Sequence, residues 1–403
     1  MKKYLALILA VMMVMTMFAA CGGNGGETTG AANAGTTDGT SAAAPIKIGL
    51  TGPFSGGASV YGLAVRAGME IAVEEINAKA DAEGGLKIEF KAYDDEHDGE
   101  KALAAYNQLK DWGMQMFAGA VTTAPSNAIA PDAVSDRMFM MTPSASAEEV
   151  ALAGSNVLQM CFSDPNQGIN AAVLIAEKKL GEKIGIIYDS SDAYSTGIRD
   201  GFLSKAKELG LNIVVDDAAF SADTKGTISN LVDNCKNAGC DLVFLPFYAA
   251  EAVTVLQSAA ASNYDAVFFG CDGMDGILSI DNFDTAMAEG LYMITPLNPY
   301  DPAEEVQSFV QKYKDKVGDQ EAIPNQFAAD GYDVIYAMYN ACVAQGIDGS
   351  TSYEDVCTKL EAYFADAVFN GLTGSNLQWD ENGLVSKNPE VIVIEGGKYV
   401  AVE

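Results

Sequence analysis

Histidine is almost missing from this chain: His97 is the only one among 403 residues. A Ser-His-Asp triad therefore has little support, and no G-x-S-x-G elbow accompanies it. The seven cysteines form no CxxC pair, which with a single histidine argues against a structural zinc site. Basic residues are scarce as well. Lys and Arg number 24 against 55 Asp and Glu, a formal net charge of −31. Such acidity argues against nucleic acid or an anionic membrane surface as partner. It leaves room for a small zwitterion, whose site is local. After residue 20 no stretch is long and apolar enough to span a bilayer.

Lys2 and Lys3 precede an apolar run from Tyr4 to Ala20, the charged and apolar regions of a secretory signal over residues 1–20. Phe18-Ala19-Ala20-Cys21 is similar to a lipobox, which would make Cys21 the acylated first residue of the mature chain. Residues 21–44 contain no aromatic residue and no Leu, Ile or Val. They cannot bury a core and read as a flexible tether. The folded body is expected to begin at Pro45. The other six cysteines, Cys161, Cys235, Cys240, Cys271, Cys342 and Cys357, are scattered. A Cys235–Cys240 pair is conceivable, but free buried thiols are the reading for most of them.

Strands and helices alternate along the body. The first series is strand Lys47–Thr51, helix Gly62–Ala80, strand Lys87–Tyr93, helix Glu100–Trp112, a strand from Met116 to Ala120, a helix to Arg137 and strand Met138–Thr142. The second is strand Lys183–Tyr188, helix Thr196–Leu209, strand Asn212–Val215, helix Lys225–Ala238, strand Leu242–Pro246, helix Ala249–Ser262 and strand Ala266–Gly270. Two βαβ series imply two doubly wound parallel sheets in an α/β protein. Helices follow at Pro302–Val317, Gln326–Ala344 and Tyr353–Ala365, then short strands near Trp379 and from Val391 to Val402.

Chemistry gathers at strand ends. Met138–Thr142 is a buried strand stopped by Pro143, and Ser144 and Ser146 follow with backbone amides expected to be free. Met116–Ala120 runs into Val121-Thr122-Thr123 in the same way. Hydroxyls and N–H groups at the carboxyl edge of a sheet, where open α/β sheets bind ligands, suit a small carboxylate. The loop Gly52–Gly62 has P-loop spacing but Ala58-Ser59 in place of Lys-Ser/Thr, so phosphate loses its cation; the loop instead places Tyr61 at the edge. Asp94–Gly99 opens like a calcium loop but carries Ala105 at its twelfth position. It reads as an acidic turn, with His97 solvated. In the second series Tyr194, Tyr248 and Asp272 each follow a strand, and Asp164 lies where the chain would cross between lobes. Donors on one lobe and a carboxylate with aromatics on the other fit a free α-amino acid, its carboxylate on Thr123, Ser144 and Ser146 and its ammonium on Asp272.

Several motifs in order carry a resemblance: Lys47-Ile48-Gly49, Gly52-Pro53-Phe54-Ser55-Gly56, Tyr61-Gly62, Glu74-Glu75-Ile76-Asn77, Tyr93-Asp94-Asp95, Met141–Ser146 and Asp164-Pro165-Asn166-Gln167-Gly168. From Pro45 onward the chain resembles the branched-chain amino acid binding proteins of ABC importers. The resemblance implies two Rossmann-like lobes joined by three crossovers, the type I periplasmic binding fold. The first lobe would comprise residues 45–163 and 297–373, the second 164–296 and 374–403. It implies a ligand site at Tyr61, Thr123, Ser144, Ser146, Asp164, Tyr194, Tyr248 and Asp272, no catalysis, cofactor or metal, and closure of the lobes about a hinge. It further implies an extracytoplasmic, lipid-anchored monomer that delivers an aliphatic or hydrophobic amino acid to a membrane permease. Leucine-binding members often have a first-lobe disulfide where this chain has His97 and Thr122, and Glu where it has Asp272. An α-amino group on the ligand is therefore a firmer expectation than any particular side chain. The alternatives are a binder of an amide, urea or small carboxylate, a sensor component that presents ligand to a receptor, and an enzyme on the same fold.

Overall fold

The computed structural model describes residues 44–402. The expected signal, Cys21 and most of the tether lie outside the described residues.

Alternating strands and helices build the first half. Strand β1 (Ile46–Gly52) leads into helix α1 (Ser59–Glu83), β2 (Ile88–Asp94), α2 (Gly99–Asp111), β3 (Met116–Phe117), α3 (Thr123–Asp136), β4 (Met140–Thr142), the short α4 (Glu148–Ala151) and β5 (Val157–Gln159). The five strands pair in parallel in the order β2-β1-β3-β4-β5. Then come α5 (Asp164–Lys178), β6 (Ile184–Asp189), α6 (Ala193–Leu209), β7 (Ile213–Phe220), α7 (Ile228–Ala238), β8 (Leu242–Leu245), α8 (Ala249–Ser262), β9 (Val267–Gly270) and β10 (Tyr292–Thr295). Helices α9 (Glu304–Val317), α10 (Gln326–Gln345) and α11 (Tyr353–Phe364) follow, then the two-stranded ribbon of β11 (Phe369–Gly371) and β12 (Gly374–Leu377), and finally β13 (Glu390–Glu395) and β14 (Lys398–Ala401). The second sheet runs β14-β13-β10-β9-β8-β6-β7, parallel except for the antiparallel β13 and β14 at one edge.

The doubly wound reading holds. Each sheet is covered on both faces, which is why strands such as Leu-Val-Phe-Leu at 242–245 are buried along their whole length. Tyr61, Ile48, Leu50 and Phe139 belong to the core on one face of the first sheet, Phe117 and Met140 to that on the other. In both sheets the strand order reverses once. That happens between β1 and β3 in the first and between β6 and β8 in the second, and a crevice opens at such a switch point. The chain passes between the sheets three times, over residues 160–163, 296–303 and 378–389.

Several expectations change. β3 stops at Phe117, three residues before the expected end, and the following Gly119–Ala120 peptide is cis. The pattern assigned nothing between residues 142 and 183, where α4, β5 and α5 stand. β5 has three residues, too few for any periodicity to register, and Asp164 is the first residue of α5, directly after the first crossing. β10 also went unassigned. The six described cysteines are free and buried, as read. Cys235 and Cys240 flank the same glycine, their sulfurs 2.9 and 3.0 Å from where a Gly185 Cβ would stand.

Helix α10 returns to pack along α1. The approach is closest at two glycines: a Cβ on Gly68 would lie 1.8 Å from the Ala328 carbonyl oxygen, and one on Gly331 2.5 Å from that of Val65. Both neighbours are backbone and cannot swing aside. Gly68→Ala should therefore force the helices apart and cost about 2–3 kcal/mol or more. Urea denaturation checks this; an unchanged midpoint would contradict the packing.

Candidate functional site

The first-sheet half of the site is set by Thr142, the last residue of β4. Its hydroxyl donates to Ala120 O at 2.7 Å and accepts from the amides of Ala145 and Ser144 at 3.0 and 3.4 Å. Those two amides were expected to be free, and they are not: a threonine ending the strand folds the Pro143–Ala145 turn back onto itself. Ser144 Oγ in turn donates to Val121 O at 2.6 Å. Its hydroxyl hydrogen braces the neighbouring strand end. The hydroxyl of Ser146 has no hydrogen-bond partner and is buried. Thr123 is the first residue of α3, so its N–H points out of a helix N-terminus, a natural place for an anion.

The second-sheet half comes from three strand ends. Tyr194 lies in the first turn of α6 after β6, Tyr248 caps α8 after β8, and Asp272 opens a short 3₁₀ turn after β9. Tyr194 donates its hydroxyl to Asp272 Oδ1 at 2.6 Å and accepts from Gly273 N at 2.9 Å. Gln167 Oε1 accepts from Asp272 N at 3.0 Å. The rings of Tyr194 and Tyr248 stack 4.9 Å apart.

Tyr61 joins the halves. From the first turn of α1 it donates to Gly273 O at 2.6 Å, and its oxygen accepts from Ala249 N at 2.9 Å. Six of the eight expected residues, Tyr61, Thr123, Ser144, Tyr194, Tyr248 and Asp272, line one small cavity of about 10 Å³. Ser146 and Asp164 are buried but do not line it. The sequence reading missed Val121, Thr122, Gly273 and Phe327, which do. Val121 and Thr122 stand between the two expected clusters and could have been included. Phe327 could not: it arrives from α10 with its ring 4.8 Å from that of Tyr61.

His97 is half-buried rather than solvated as expected. It sits edge-on to Tyr248, ring centroids 5.7 Å apart, and its Nδ1 is 2.8 Å from Thr122 Oγ1. Burial lowers its pKa below the ordinary imidazole value. Thus the two positions at which the resemblance implied a disulfide in other members are linked here by a hydrogen bond. The acidic turn serves the fold. Asp94 accepts from Phe54 N and Ser55 Oγ at 2.8 and 2.7 Å, which holds the rim loop.

Two of the expected residues, Asp272 and Asp164, are buried carboxyls. Burial pushes Asp272 up to about 7, against the Tyr194 and Gln167 side chains that favour its charged form. No ion pair among the described residues involves it, and the one Lys or Arg buried among them, Lys387, is bonded to Asp330 at 2.7 Å. Asp164 donates its N–H to Ser146 O at 2.9 Å. Both its carboxylate oxygens lack a partner, and burial drives its pKa well above the carboxylate range. No group of His, Cys, Asp and Glu among the described residues could hold a metal ion.

Two doubly wound sheets with three crossovers and a cavity at their facing carboxyl edges form a two-lobed, type I binding fold. The chain matches the periplasmic binding protein family over residues 45–397 and belongs to it. It is 28% identical to the Leu/Ile/Val/Thr-binding protein of Salmonella typhimurium over 342 residues, which is 84% of this chain and 88% of that protein. Among solved structures it shares its fold with the branched-chain amino acid transporter substrate-binding protein LivJ of Streptococcus pneumoniae, in complex with isoleucine. That match has a TM-score of 0.78 at 24% identity and covers 89% of this chain and 99% of that one. A solute-binding protein of R. palustris in complex with benzoate matches with a TM-score of 0.77 at 21% identity, covering 89% and 95%.

The buried carboxyls make stability respond to pH in a set direction. Asp272 stands at about 7, and Asp275, Asp192 and Asp95 at about 6, each raised chiefly by burial. In the unfolded chain they return to about 3.9. Between those values the folded protein holds protons that the unfolded chain has lost, so stability rises as pH falls from about 8 to about 5. The ligand-free thermal midpoint should be higher at about pH 5.5 than at about pH 8. A flat or opposite profile would contradict the burial of these groups.

Proposed function

We propose that this protein captures a free α-amino acid in the interlobe cleft and delivers it to the membrane permease of an ABC importer, without catalysis. The observation that carries the reading is Asp272: a buried carboxylate at the cavity wall, held by Tyr194 and paired with no cation of the described residues. A buried charge without a partner is costly, and a ligand ammonium would supply that partner. The opposite end of the cavity offers the Thr123 hydroxyl and the N-terminus of α3 to a carboxylate. Ser144 braces the loop. Tyr61, Tyr248 and Phe327 would cover an apolar side chain. The names of the relatives support an aliphatic one.

The two lobes would be residues 45–163 with 297–373 and residues 164–296 with 374–403, closing about the three crossovers. This is supported by the two sheets and by α10, which packs on α1. Asp164, at the first crossing, would sit behind the ammonium site. The lipid tether at Cys21 rests on the residues before it. Cys21→Ala should release the protein from the membrane fraction, and retention there would remove the anchor.

The benzoate complex of a structural neighbour keeps a second reading in view, a carboxylate ligand without an ammonium. Asp272 separates the two. Asp272→Asn should weaken amino acid binding about 100-fold, because it removes the charge while keeping the shape. In the wild type, binding should weaken about tenfold between pH 8 and pH 6 as Asp272 takes a proton. Calorimetry with leucine, isoleucine, alanine and benzoate measures both. Benzoate binding that is indifferent to pH and to Asp272→Asn, with amino acids silent, would overturn the amino acid reading.

A further inference from the structure

Three residues beyond Asp272 lies a second buried carboxylate with the opposite character. Asp275 is fully buried and fully bonded. Its Oδ1 accepts from Tyr399 Oη on β14 at 2.8 Å. Its Oδ2 accepts from Thr295 Oγ1, the last residue of β10, at 3.0 Å and from Gln326 N at 2.7 Å. Gln326 is the first residue of α10, which packs on α1 against the other sheet. Asp275 therefore ties three bodies together: the edge of the second sheet, the strand entering the second crossover and the N-terminus of a 20-residue helix on the first lobe. A helix N-terminus favours an anion there.

The tie is not isolated. Gln326 Nε2 donates to Asp272 O at 3.2 Å, and Tyr61 donates to Gly273 O. Gly276 has φ +98° and no Cβ; one there would press on Val60 Cγ2 and Asn325 Nδ2, both 3.0 Å away. First-lobe groups thus engage residues 272, 273, 275 and 276 of a single turn. That turn carries Asp272 at one end and Asp275 at the other, and the residue after Gln326 is Phe327, the aromatic wall of the cavity.

We propose that Asp275 is a positioning residue for ligand capture: docked on the N-terminus of α10, it fixes Asp272 relative to Phe327 and links the ligand's charge to closure of the lobes. The inference rests on the reading that Asp272 accepts the ligand. Asp275 itself touches nothing in the cavity, so it should act on affinity without choosing among ligands.

Two variants test it. Asparagine can keep all three bonds, with Oδ1 on Gln326 N and Thr295 and Nδ2 donating to Tyr399 Oη, while losing the charge. Alanine loses both. Asp275→Ala should weaken every bound ligand about tenfold through faster dissociation, with the order of ligands unchanged. Asp275→Asn should recover part of that loss. Without ligand, small-angle scattering should show Asp275→Ala more extended than wild type, with Asp275→Asn between them. If Asp275→Ala does not fold, Tyr399→Phe, which removes one donor, takes its place in both measurements. Wild-type affinity and scattering in Asp275→Ala, or a reordering of ligands, would overturn the proposal. A wild type that binds no ammonium compound would overturn the amino acid reading instead, and the scattering comparison would still decide whether Asp275 holds the lobes.

Discussion

A carboxylate buried without a cation is the constraint around which this molecule is arranged. Asp272 could not sit at the cleft floor unaided. Its Oδ1 is taken by Tyr194, its N–H by Gln167 and its carbonyl by Gln326, which places neutral dipoles where a lysine would otherwise be needed. The compensation is incomplete: dipoles reduce the cost of the charge without cancelling it, as the rise to about 7 shows. On the proposed function a ligand ammonium would complete it. Such a site would let a protein so acidic hold a zwitterion. The overall charge is spread over an exposed surface and screened by salt, whereas one carboxylate in a closed cavity acts at short range and low dielectric.

Holding that turn in place falls largely to one helix. α10 presents Gln326, Asp330 and Asp333 at spacings that put them near one side. Gln326 meets Asp275. Asp330 pairs with Lys387 on the third crossover. Asp333 accepts from the amides of Leu372 and Thr373, where the ribbon turns back towards that crossover. Along another side, Ala328 and Gly331 press against α1, whose first turn delivers Tyr61. The same helix thus fixes the hinge segments, the aromatic wall and the closing tyrosine. Its close contact with α1, through glycine, gives the first sheet a firmly packed helix pair.

Much of this was legible from the residues. The strands that end in Thr142, Leu245 and Gly270 are short apolar runs, and the polar residue after each is necessarily at the sheet edge, so Ser144, Tyr248 and Asp272 could be placed by local pattern alone. What the pattern does not contain is hydrogen-bond competition over a few residues. Thr142 reads as a strand residue, yet its hydroxyl takes the very amides that seemed available to a ligand. His97 reads as one more member of a charged loop, yet its ring is packed because Tyr248, from 151 positions further along the chain, closes over it.

The longer the separation, the less the sequence could reveal. Tyr61 and Gly273 are 212 residues apart and Asp275 and Gln326 are 51 apart, and each pair meets only because two sheets are brought face to face. No period or motif marks such a meeting. A turn residue such as Asp275 has the composition of any surface turn, and only its burial separates it from one. The distinction between Asp272 and Asp275 is therefore one of remaining capacity rather than of type. Both are buried aspartates raised by desolvation, three positions apart on one turn. Asp275 takes three donors from the protein and faces no cavity, so its capacity is spent within the fold. Asp272 is steadied by Tyr194 and still lines the cavity, where a further donor can reach it. On the proposed function ligand binding would draw on the second kind, and its accurate placement on the first.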